Sequence, residues 1–330
     1  MQESGDRVIC IGGSLGAIAA VMEFCGTLSR DIPAAICVAI HTGARGPNLL
    51  AEIFGKKCPL PFAIAADEQK LEVGRAYVAP RDRHLIVRDG ALRLGIGPRE
   101  NLSRPAVDPL FRSVGVSHGS RAVGVVLTGL LDDGAAGLAD LKRCGGVTVV
   151  QNPGDAEAPD MPLAALRASD VDYRAPLHEL GSLLDKLVRM PFGPSPPAPA
   201  DVRFEVEIAL GRSIGADDVA QLGDPAPLSC PDCGGVLSQV RRSPPLRFRC
   251  QVGHAYTAEW LESKQETSVD EALRVALRIA EERAMLARKM AAEARQEGRN
   301  AAALLFEKTA KESRAHVETV RNAIGGRCKT

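Results

Sequence analysis

Apolar and polar positions follow two different periodicities along the chain. In its first part, short apolar runs rich in β-branched residues alternate with amphipathic stretches. The runs lie at 7–12, 34–40, 62–66, 76–80, 123–129 and 146–151. Runs that are apolar on both faces are typical of parallel strands covered by helices. The stretches predicted to be those helices lie at 15–29, 47–56, 107–118 and 134–144. The pattern therefore predicts an α/β fold with a doubly wound, mainly parallel sheet.

Two local patterns interrupt this alternation. Residues 84–97 have strand character on either side of an Asp-Gly turn, which predicts a β-hairpin attached to the sheet. Residues 190–200 hold five prolines in their last ten positions, which favours an extended path over helix or sheet. We therefore predict a first domain at 6–188 and a proline-rich linker at 189–201.

The part after the linker divides again. A loop-rich stretch at 202–262 contains clustered cysteines, and a long helical pattern follows at 263–325, interrupted at 296–300. Ser268 and Glu271 have the spacing of a capping box, which predicts a helix start there. We expect an antiparallel helical hairpin that is too amphipathic to stand alone and that binds a partner helix or a second copy of the chain.

The charge balance of the chain argues against partners that bind mainly by electrostatic attraction to a large basic or acidic surface. The 330 residues include 41 basic and 41 acidic side chains, and the balance holds on both sides of residue 200, with 21 basic and 22 acidic residues before it. Nucleic acid and anionic membranes are therefore not expected partners. The chain starts without a signal pattern and has no apolar run of about 20 residues, so we predict a cytoplasmic protein with no membrane insertion.

Nine cysteines in a reducing compartment are expected to be free thiols or metal ligands. Five are scattered among apolar residues and are interpreted as small core residues, and one, Cys328, lies in the tail. The scattered five are Cys10, Cys25, Cys37, Cys58 and Cys144.

The remaining cysteines have the spacing of a metal site. Cys230 and Cys233 form a C-x2-C pair, and Cys250 and His254 follow after sixteen residues as C-x3-H. This arrangement predicts a zinc-ribbon-like module with a closed structural zinc site. A metal-free ribbon or a redox dithiol is the alternative. The arginines near this module, Arg241, Arg242, Arg247 and Arg249, are interpreted as a solvated basic face or a protein contact rather than a nucleic-acid surface.

Polar residues follow three of the predicted strands. Gly12-Gly13-Ser14-Leu15-Gly16 passes from strand to helix, as a nucleophile elbow does, although such a turn also suits an anion cradle or simple packing. His41 follows the second strand, and Asp132 and Asp133 follow the run that ends in Leu-Thr-Gly. The carboxyl ends of parallel strands meet at one edge, so a serine, a base and a carboxylate can converge there.

Plainer interpretations of these residues remain open. His41 could be a loop or capping residue, and Asp-Asp-Gly before a helix could be an N-cap and turn. His84 and His118 are competing candidates for the base. His84 opens a strand and is expected at the opposite edge, whereas His118 ends a helix, where its charge would favour the helix dipole.

Residues 6–188 resemble the catalytic domain of CheB-type protein-glutamate methylesterases. The resemblance is carried by several motifs in the family's order, namely IGGSLGA, AIHTG, VAPRDRHLIV, RPAVDPLFRSVG and LTGLLDDGAAGL. It implies Ser14 as nucleophile, His41 as general base and Asp133 as the orienting carboxylate. It also implies hydrolysis of glutamate γ-methyl esters on chemoreceptor cytoplasmic helices, with release of methanol and possible deamidation of receptor glutamines, and without a catalytic cofactor.

The backbone amides of Leu15 and Leu130 are the candidate oxyanion-hole donors. These positions depart from the threonine and methionine usual in the family, and Leu131 stands where the family usually has glycine. The departures leave open a serine hydrolase of the same fold acting on another ester or amide, and a non-catalytic scaffold is the third hypothesis. Because the first strand starts near residue 7, we expect no receiver domain ahead of it.

Overall fold

The computed structural model describes residues 6–42, 47–241 and 244–327; Arg242 and Cys328 lie outside this part of the chain. Contacts divide the chain into two compact units, Met1–Trp260 and Leu261–Thr330. Each unit is described by itself below.

The first unit contains thirteen described strands in three sheets. The strands are β1 (Arg7–Gly13), β2 (Ala34–Ile40), β3 (Phe62–Ile64), β4 (Ala76–Val78), β5 (His84–Arg88), β6 (Ala91–Gly95), β7 (Ala122–Val126), β8 (Val147–Gln151), β9 (Tyr173–Ala175), β10 (Gly223–Ser229), β11 (Val236–Val240), β12 (Arg247–Cys250) and β13 (Ala255–Thr257). The helices before residue 258 are α1 (Ala17–Cys25), α2 (Leu50–Gly55), α3 (Val107–His118), α4 (Ala135–Arg143), α5 (Asp160–Ala168), α6 (Leu177–Arg189), α7 (Ala200–Leu210) and α8 (Ala216–Leu222).

The main sheet has the order β3-β4-β2-β1-β7-β8-β9, and every neighbouring pair is parallel. Strands β1, β2 and β7 are buried along their whole length, and separate apolar clusters cover the two faces of the sheet. The predicted parallel α/β architecture is therefore confirmed. Strand β9 was not predicted, because its three residues include exposed Tyr173 and Arg174 and carry no apolar signal.

The β-hairpin is formed by β5 and β6, but the prediction that it joins the main sheet is wrong. The two strands make a separate two-stranded sheet. Ile86 of β5 packs against Val206 and Ala209 of α7, and the Val87 amide donates to Ser113 Oγ of α3 at 3.0 Å. The apolar side chains of the hairpin are therefore buried against these helices, and the hairpin does not extend the edge of the main sheet.

Residues 202–222 belong to the stretch that was expected to be loop-rich, but most of them are helical. Helix α7 buries Val202, Val206 and Ala209, which share one face, and α8 buries Val219 and Leu222. The buried Glu205 interrupts the apolar stripe of α7 and weakens its amphipathic signal in the sequence.

The proline-rich segment between α6 and α7 has no regular secondary structure, as expected for an extended chain. It nevertheless lies against the first part of the unit. Ser195 Oγ accepts from the Ser120 amide at 3.0 Å, and Ser120 Oγ donates to the Gly193 carbonyl at 2.6 Å. A side chain at Gly145 would meet Pro196. The segment is therefore held along its path.

The four short strands β10–β13 form an antiparallel sheet, called the ribbon below (Gly223–Thr257). The ring of Tyr256 in β13 stacks on Trp260 with centroids 5.2 Å apart. The ribbon carries all four predicted metal ligands.

Helix α9 spans Ala258–Gln296 and α10 spans Asn300–Arg327, and the second unit consists of α9 from Leu261 onward together with α10. The residues between the two helices, 297–299, lie within the predicted break at 296–300. The predicted helix start at Ser268 is wrong, because α9 begins at Ala258 directly after β13. Ser268 lies inside the helix, where its hydroxyl donates to the Lys264 carbonyl at 2.9 Å. Residues 258–267 are mostly good helix formers, so the helix extends past the cap signal.

Small residues form the seam between α9 and α10. Ala284, Ala287, Ala291 and Ala294 of α9 are buried, as are Ala303, Ala310 and Val317 of α10. The ion pairs Arg321–Glu281 and Arg295–Glu307, each 2.7 Å long, show that the helices run antiparallel. Several larger apolar side chains are exposed, including Ile279, Leu286, Leu304 and Leu305.

The five scattered cysteines are buried, which agrees with their interpretation as core residues. Burial raises the pKa of Cys37 and, as the main cause, that of Cys144 to about 12, so both are unreactive thiols at neutral pH. Among the described helices, none combines the length and apolar character needed to cross a bilayer.

Candidate active site

Three loops meet at the carboxyl edge of the main sheet. Ser14 follows β1, His41 follows the neighbouring β2, and Thr128 lies just after β7 on the other side. Gly13 and Ile40 are partners in register, and the His41 amide donates to the Gly13 carbonyl at 3.3 Å. The Ser14 amide donates to the Thr128 carbonyl at 3.0 Å. Ser14 is thus placed between the ends of both neighbouring strands.

The glycines around Ser14 are needed for this close approach. A Cβ at Gly12 would overlap Val107 at the start of α3, and Gly16 has a φ of +78° where the chain enters α1. An L side chain is disfavoured at that φ. The Gly-Gly-Ser-Leu-Gly pattern therefore presents Ser14 on a tight strand-to-helix turn.

His41 and Asp133 are paired. His41 Nε2 lies 2.6 Å from Asp133 Oδ2, with side-chain exposures of 21% and 3%. A carboxylate accepts hydrogen bonds, so this contact places the imidazole proton on Nε2 and leaves Nδ1 as the basic nitrogen. Asp133 can therefore fix the ring and its tautomer.

The start of α3 holds the Asp133 carboxylate. Oδ2 accepts from the Val107 amide at 2.7 Å, and Oδ1 accepts from the amides of Asp108 and Gly134 at 3.2 and 3.0 Å. Val107 and Asp108 are the first two residues of α3, whose amides have no partner within the helix. The helix end satisfies the carboxylate and supports its charge.

Asp108 is a second buried carboxylate at this point. Its Oδ1 accepts from the amides of Gly134 and Gly137, at 3.0 and 2.6 Å, and so ties α3 to the start of α4. Burial raises the pKa of Asp108 well above its usual value, and the neighbouring charge of Asp133 adds to this. The sequence motifs give Asp108 no separate role, and its place at the start of a predicted helix is the available signal.

The amides of Leu15 and Leu130 donate no hydrogen bond to another described residue. Their side chains are about half exposed, and Leu131 beside them is also exposed. Leu131 has a φ of +62°, in the left-handed region where glycine is favoured. This conformation gives a physical reason why glycine suits the position.

Thr128 connects the two loops that carry the candidate donors. Its hydroxyl donates to the Leu15 carbonyl at 3.0 Å and accepts from the Ala158 amide at 2.8 Å. Its own amide donates to Gln151 Oε1 at 2.9 Å. In the sequence, Thr128 is only part of an apolar run that ends a predicted strand, so its linking role could not be predicted.

Asp132, the residue before Asp133, is also buried. Neither carboxylate oxygen makes a hydrogen bond within standard geometry among the described residues. Burial raises the pKa of Asp132 to about 6, although the nearby Thr257 hydroxyl of β13 acts in the opposite direction. Asp132 is therefore a poorly solvated neighbour of the site.

The two competing histidines lie elsewhere. His84 is fully buried, with Nε2 3.0 Å from the Pro98 carbonyl and Nδ1 accepting from the Ala106 amide at 3.3 Å. His118, at the end of α3, lies 2.8 Å from Ser117 Oγ, and burial lowers its pKa to about 4. His118 therefore does not carry the charge that was expected to favour the helix dipole at neutral pH.

The predicted metal ligands come together in the ribbon. The ligand atoms of Cys230, Cys233, Cys250 and His254 all lie within 4.8 Å of one another. His254 Nδ1 is 3.7 Å from Cys230 Sγ and 3.5 Å from Cys250 Sγ, and the Cys233 and Cys250 sulfurs are 3.7 Å apart. A tetrahedral zinc site with three sulfur ligands has edges of about 3.8 Å. The residues therefore fit zinc in type and spacing.

The interpretation of the ribbon arginines as a solvated face is wrong for two of them. Arg247 and Arg249 of β12 are buried, with 4% and 0% exposure, and face the carboxylates of Glu205 and Glu100. Arg241 alone among the described three is exposed, and it pairs with Asp224. Buried carboxylate partners cannot be anticipated from a local basic pattern.

Comparison with known proteins identifies the family of the first part of the chain. The family model for the CheB methylesterase matches residues 9–184. The crystal structure of the Thermotoga maritima CheB methylesterase catalytic domain superposes with a TM-score of 0.53 at 26% identity, covering all of that chain and 56% of this one. The fold and site thus define a CheB-type catalytic domain, and the chain belongs to the CheB methylesterase family.

Curated relatives are named as protein-glutamate methylesterases/protein-glutamine glutaminases. A putative protein-glutamate methylesterase/protein-glutamine glutaminase of Leptospira interrogans is 36% identical over 182 residues, which cover 94% of that protein and 55% of this chain. The protein-glutamate methylesterase/protein-glutamine glutaminase of Pectobacterium atrosepticum is 37% identical over 181 residues, and the chain spans about half of its length (51%). The predicted family and enzyme class are confirmed.

Proposed function

We propose that the chain is a serine-type hydrolase that removes methyl groups from glutamate γ-methyl esters of chemoreceptors and releases methanol. Deamidation of receptor glutamines would follow the same course with ammonia as the leaving group. The proposal is supported by family membership and by the names of the relatives. Because the esters lie on cytoplasmic receptor helices, the proposed place of action is the cytoplasm.

The single observation that carries the mechanism is the His41–Asp133 pair, in which the His41 amide also donates to the carbonyl of Gly13, the residue before Ser14. His41 Nδ1 removes the proton from Ser14 Oγ as the oxygen attacks the ester carbonyl carbon. Asp133 stabilises the resulting imidazolium through Nε2. Collapse of the tetrahedral intermediate expels methanol with the proton from His41, and water then hydrolyses the acyl-serine by the same route.

The amides of Leu15 and Leu130 are proposed to stabilise the oxyanion. They belong to the two loops that Thr128 ties together, and they are unused by other described residues. Backbone donors do not depend on side-chain identity, so leucine at both positions is compatible with this role. A departure from the usual family residues is then expected to affect the fit of the substrate rather than the reaction.

Methanol release from a methylated receptor fragment tests the proposal. Replacement of the nucleophile in Ser14→Ala should reduce the rate by at least about a thousandfold. Ser182→Ala is the matched control, because Ser182 is an exposed serine whose hydroxyl donates only to the Glu179 carbonyl within α6. Absence of methanol release by the wild type would refute receptor methylesterase activity.

An alternative is a serine hydrolase acting on another ester or amide. The observation that favours it is the exposed apolar rim formed by Leu15, Leu130 and Leu131. Labelling of Ser14 by a fluorophosphonate probe, together with no methanol release from receptor fragments, would support this alternative. No labelling and no release would support the non-catalytic scaffold instead.

We also propose that Cys230, Cys233, Cys250 and His254 hold a structural zinc ion. The three thiolates and Nδ1 would supply four ligands, which leaves no open position for chemistry. Bound metal would supply folding free energy to a ribbon with a small apolar core. Asp232, 3.9 Å from His254 Nε2, would help to orient the ring.

For the second unit we propose a docking role. Its exposed apolar side chains, which include Ile279, Leu286, Leu304 and Leu305, are available to a partner helix or to a second copy of the chain.

A further inference from the structure

Buried charges join the ribbon to the catalytic part of the first unit. Arg112 of α3 and Arg249 of β12 are both fully buried. The carboxylates around the buried arginines are Glu100, Asp108, Asp140 and Glu205, and all are at most 2% exposed. Paired charges at this depth demand a defined geometry, since a displaced partner leaves the other charge uncompensated.

A continuous path of charged contacts runs from the cysteine cluster to α3. Arg249 precedes the ligand Cys250, and its Nη1 donates to the Gly253 carbonyl within the C-x3-H loop at 2.7 Å. Its Nη2 donates to Glu100 Oε1 at 3.0 Å, and Glu100 Oε2 accepts from Arg112 Nη1 at 2.7 Å. Burial alone would raise the pKa of Glu100, but Arg112 and Arg249 hold it below its usual value. Glu100 is thus a charged link between the two arginines.

A second contact fixes the turn that leads into α3. Asn101 and Leu102 have φ values of +47° and +56°, which side chains rarely adopt. The Asn101 amide donates to the Ala255 carbonyl at 2.9 Å, and Asn101 Oδ1 accepts from the Thr257 amide at 3.1 Å. Strand β13 therefore holds this turn in a conformation that the turn would not keep by itself.

Both contacts end at the element that orients Asp133. The first two amides of α3 hold the Asp133 carboxylate, which pairs with His41. Arg112 lies in the next turn of the same helix. A shift of α3 by a fraction of an ångström would lengthen these hydrogen bonds and turn the carboxylate away from the imidazole.

We propose that Arg249 is a positioning residue for the Ser14–His41–Asp133 triad. Through Glu100 and Arg112, and together with the Asn101 turn, it fixes the start of α3 and so makes the catalytic step depend on the ribbon. The inference rests on the proposed hydrolase function. Its consequence is that damage to the ribbon lowers turnover more than it lowers substrate binding.

Arg249→Lys tests this dependence. A lysine keeps the charge, but one ammonium group cannot reproduce the two-sided contact with Gly253 and Glu100. We expect kcat for methanol release to fall by about tenfold to a hundredfold, with KM changed less than about twofold. Arg241→Gln is the control, because Arg241 is an exposed ribbon arginine outside the buried charges, and it should leave both constants within about twofold.

A second readout does not need activity. The proton between His41 Nε2 and Asp133 Oδ2 should give a downfield proton resonance in the wild type, in Ser14→Ala and in Arg241→Gln. In Arg249→Lys this resonance should broaden or move upfield. An unchanged resonance and an unchanged kcat in folded Arg249→Lys would overturn the inference. Absence of methanol release by the wild type would refute only the proposed function, and the resonance would still decide the inference.

Asn101→Gly keeps the test decisive if Arg249→Lys does not fold. Glycine suits the left-handed backbone at this position, while the acceptor for the Thr257 amide is lost. A severalfold loss of kcat at constant KM, with a broadened His41 resonance, is the expected result. Wild-type kcat and an unchanged resonance in Asn101→Gly would then overturn the inference.

Discussion

Asp132 and Asp133 are adjacent carboxylates in opposite surroundings. Asp133 receives three backbone amides and an imidazole, whereas both oxygens of Asp132 are buried without a hydrogen bond among the described residues. Only Asp133 has the hydrogen-bond donors that a buried carboxylate needs. The unpartnered carboxylate is expected to cost stability whenever it is ionised.

Asp132→Asn should therefore stabilise the protein in a pH-dependent way. The pKa of Asp132 rises from 3.8 to about 6 on folding. The folded state binds more protons than the unfolded state between about pH 4 and 6, so stability falls as the pH rises through that window. At pH 7 the full penalty is at most about 3 kcal/mol.

Urea unfolding at pH 4 and pH 7.5 measures this effect. The variant should match the wild type at pH 4 and exceed it at pH 7.5. Asp89→Asn, at an exposed turn position, is the control and should show no such difference. An equal effect of Asp132→Asn at both pH values would contradict the explanation.

Leu131→Gly tests the left-handed backbone at the rim of the site. Removing the side chain from a φ of +62° relieves about 1 kcal/mol of strain, offset in part by the greater freedom of glycine in the unfolded chain. We expect no loss of stability. Leu130→Gly, at a neighbouring exposed leucine without a positive φ, should cost up to about 1 kcal/mol. The denaturant midpoint of Leu131→Gly should therefore not fall below that of the wild type, whereas the midpoint of Leu130→Gly should be lower.

At the scale of elements, the predictions that were confirmed rest on patterns of apolar residues along the sequence. The strands β1, β2 and β7 are buried on both faces and appear in the sequence as continuous apolar runs. The placement of Ser14, His41 and Asp133 at one edge of the sheet could be predicted because parallel strands end there, while their catalytic roles stay predictions. Helix α7 and the ribbon docking could not be predicted, because Glu205, Arg247 and Arg249 resemble surface residues until their distant partners are known.

The ribbon also allows a prediction about metal content. We expect one zinc ion per chain, and loss of one thiolate in Cys233→Ser should weaken zinc binding at least about tenfold. Cys58→Ala is the control, since Cys58 lies in the apolar core of the main sheet and outside the cluster. Metal analysis after dialysis against a weak chelator measures the difference. Full zinc retention by Cys233→Ser would contradict the ligand assignment.

At the scale of the whole molecule, the boundary between units matters more than the proline-rich segment. The sequence pattern predicts a first domain that ends at residue 188, ahead of a linker at 189–201. The first compact unit instead extends to Trp260 and includes Glu205, Arg247 and Arg249, which face Arg112, Asp140 and Glu100, respectively. Truncation within this unit removes partners from buried charges.

Two truncated chains separate these possibilities. A chain ending at Glu266 keeps the first unit and should hydrolyse a small methyl ester at the wild-type rate. A chain ending at residue 199 leaves Arg112 without Glu205 and Glu100 without Arg249, and we expect it to lose about 3–5 kcal/mol of stability and most of its activity. Equal activity of both chains would contradict the role of the buried charges.

The fixed path of the proline-rich segment has a consequence for how the ribbon reaches its place. Ser195 and Pro196 lie against the turn at Gly119–Arg121 and Gly145, so the chain enters α7 at a defined point. A segment held in this way keeps the ribbon near its binding site on the rest of the first unit, at an effective concentration in the millimolar range or above. If the ribbon and the part of the chain before the proline-rich segment were supplied as separate chains, they would have to associate from dilute solution. Complementation in trans should therefore need far higher protein concentrations than the intact chain requires.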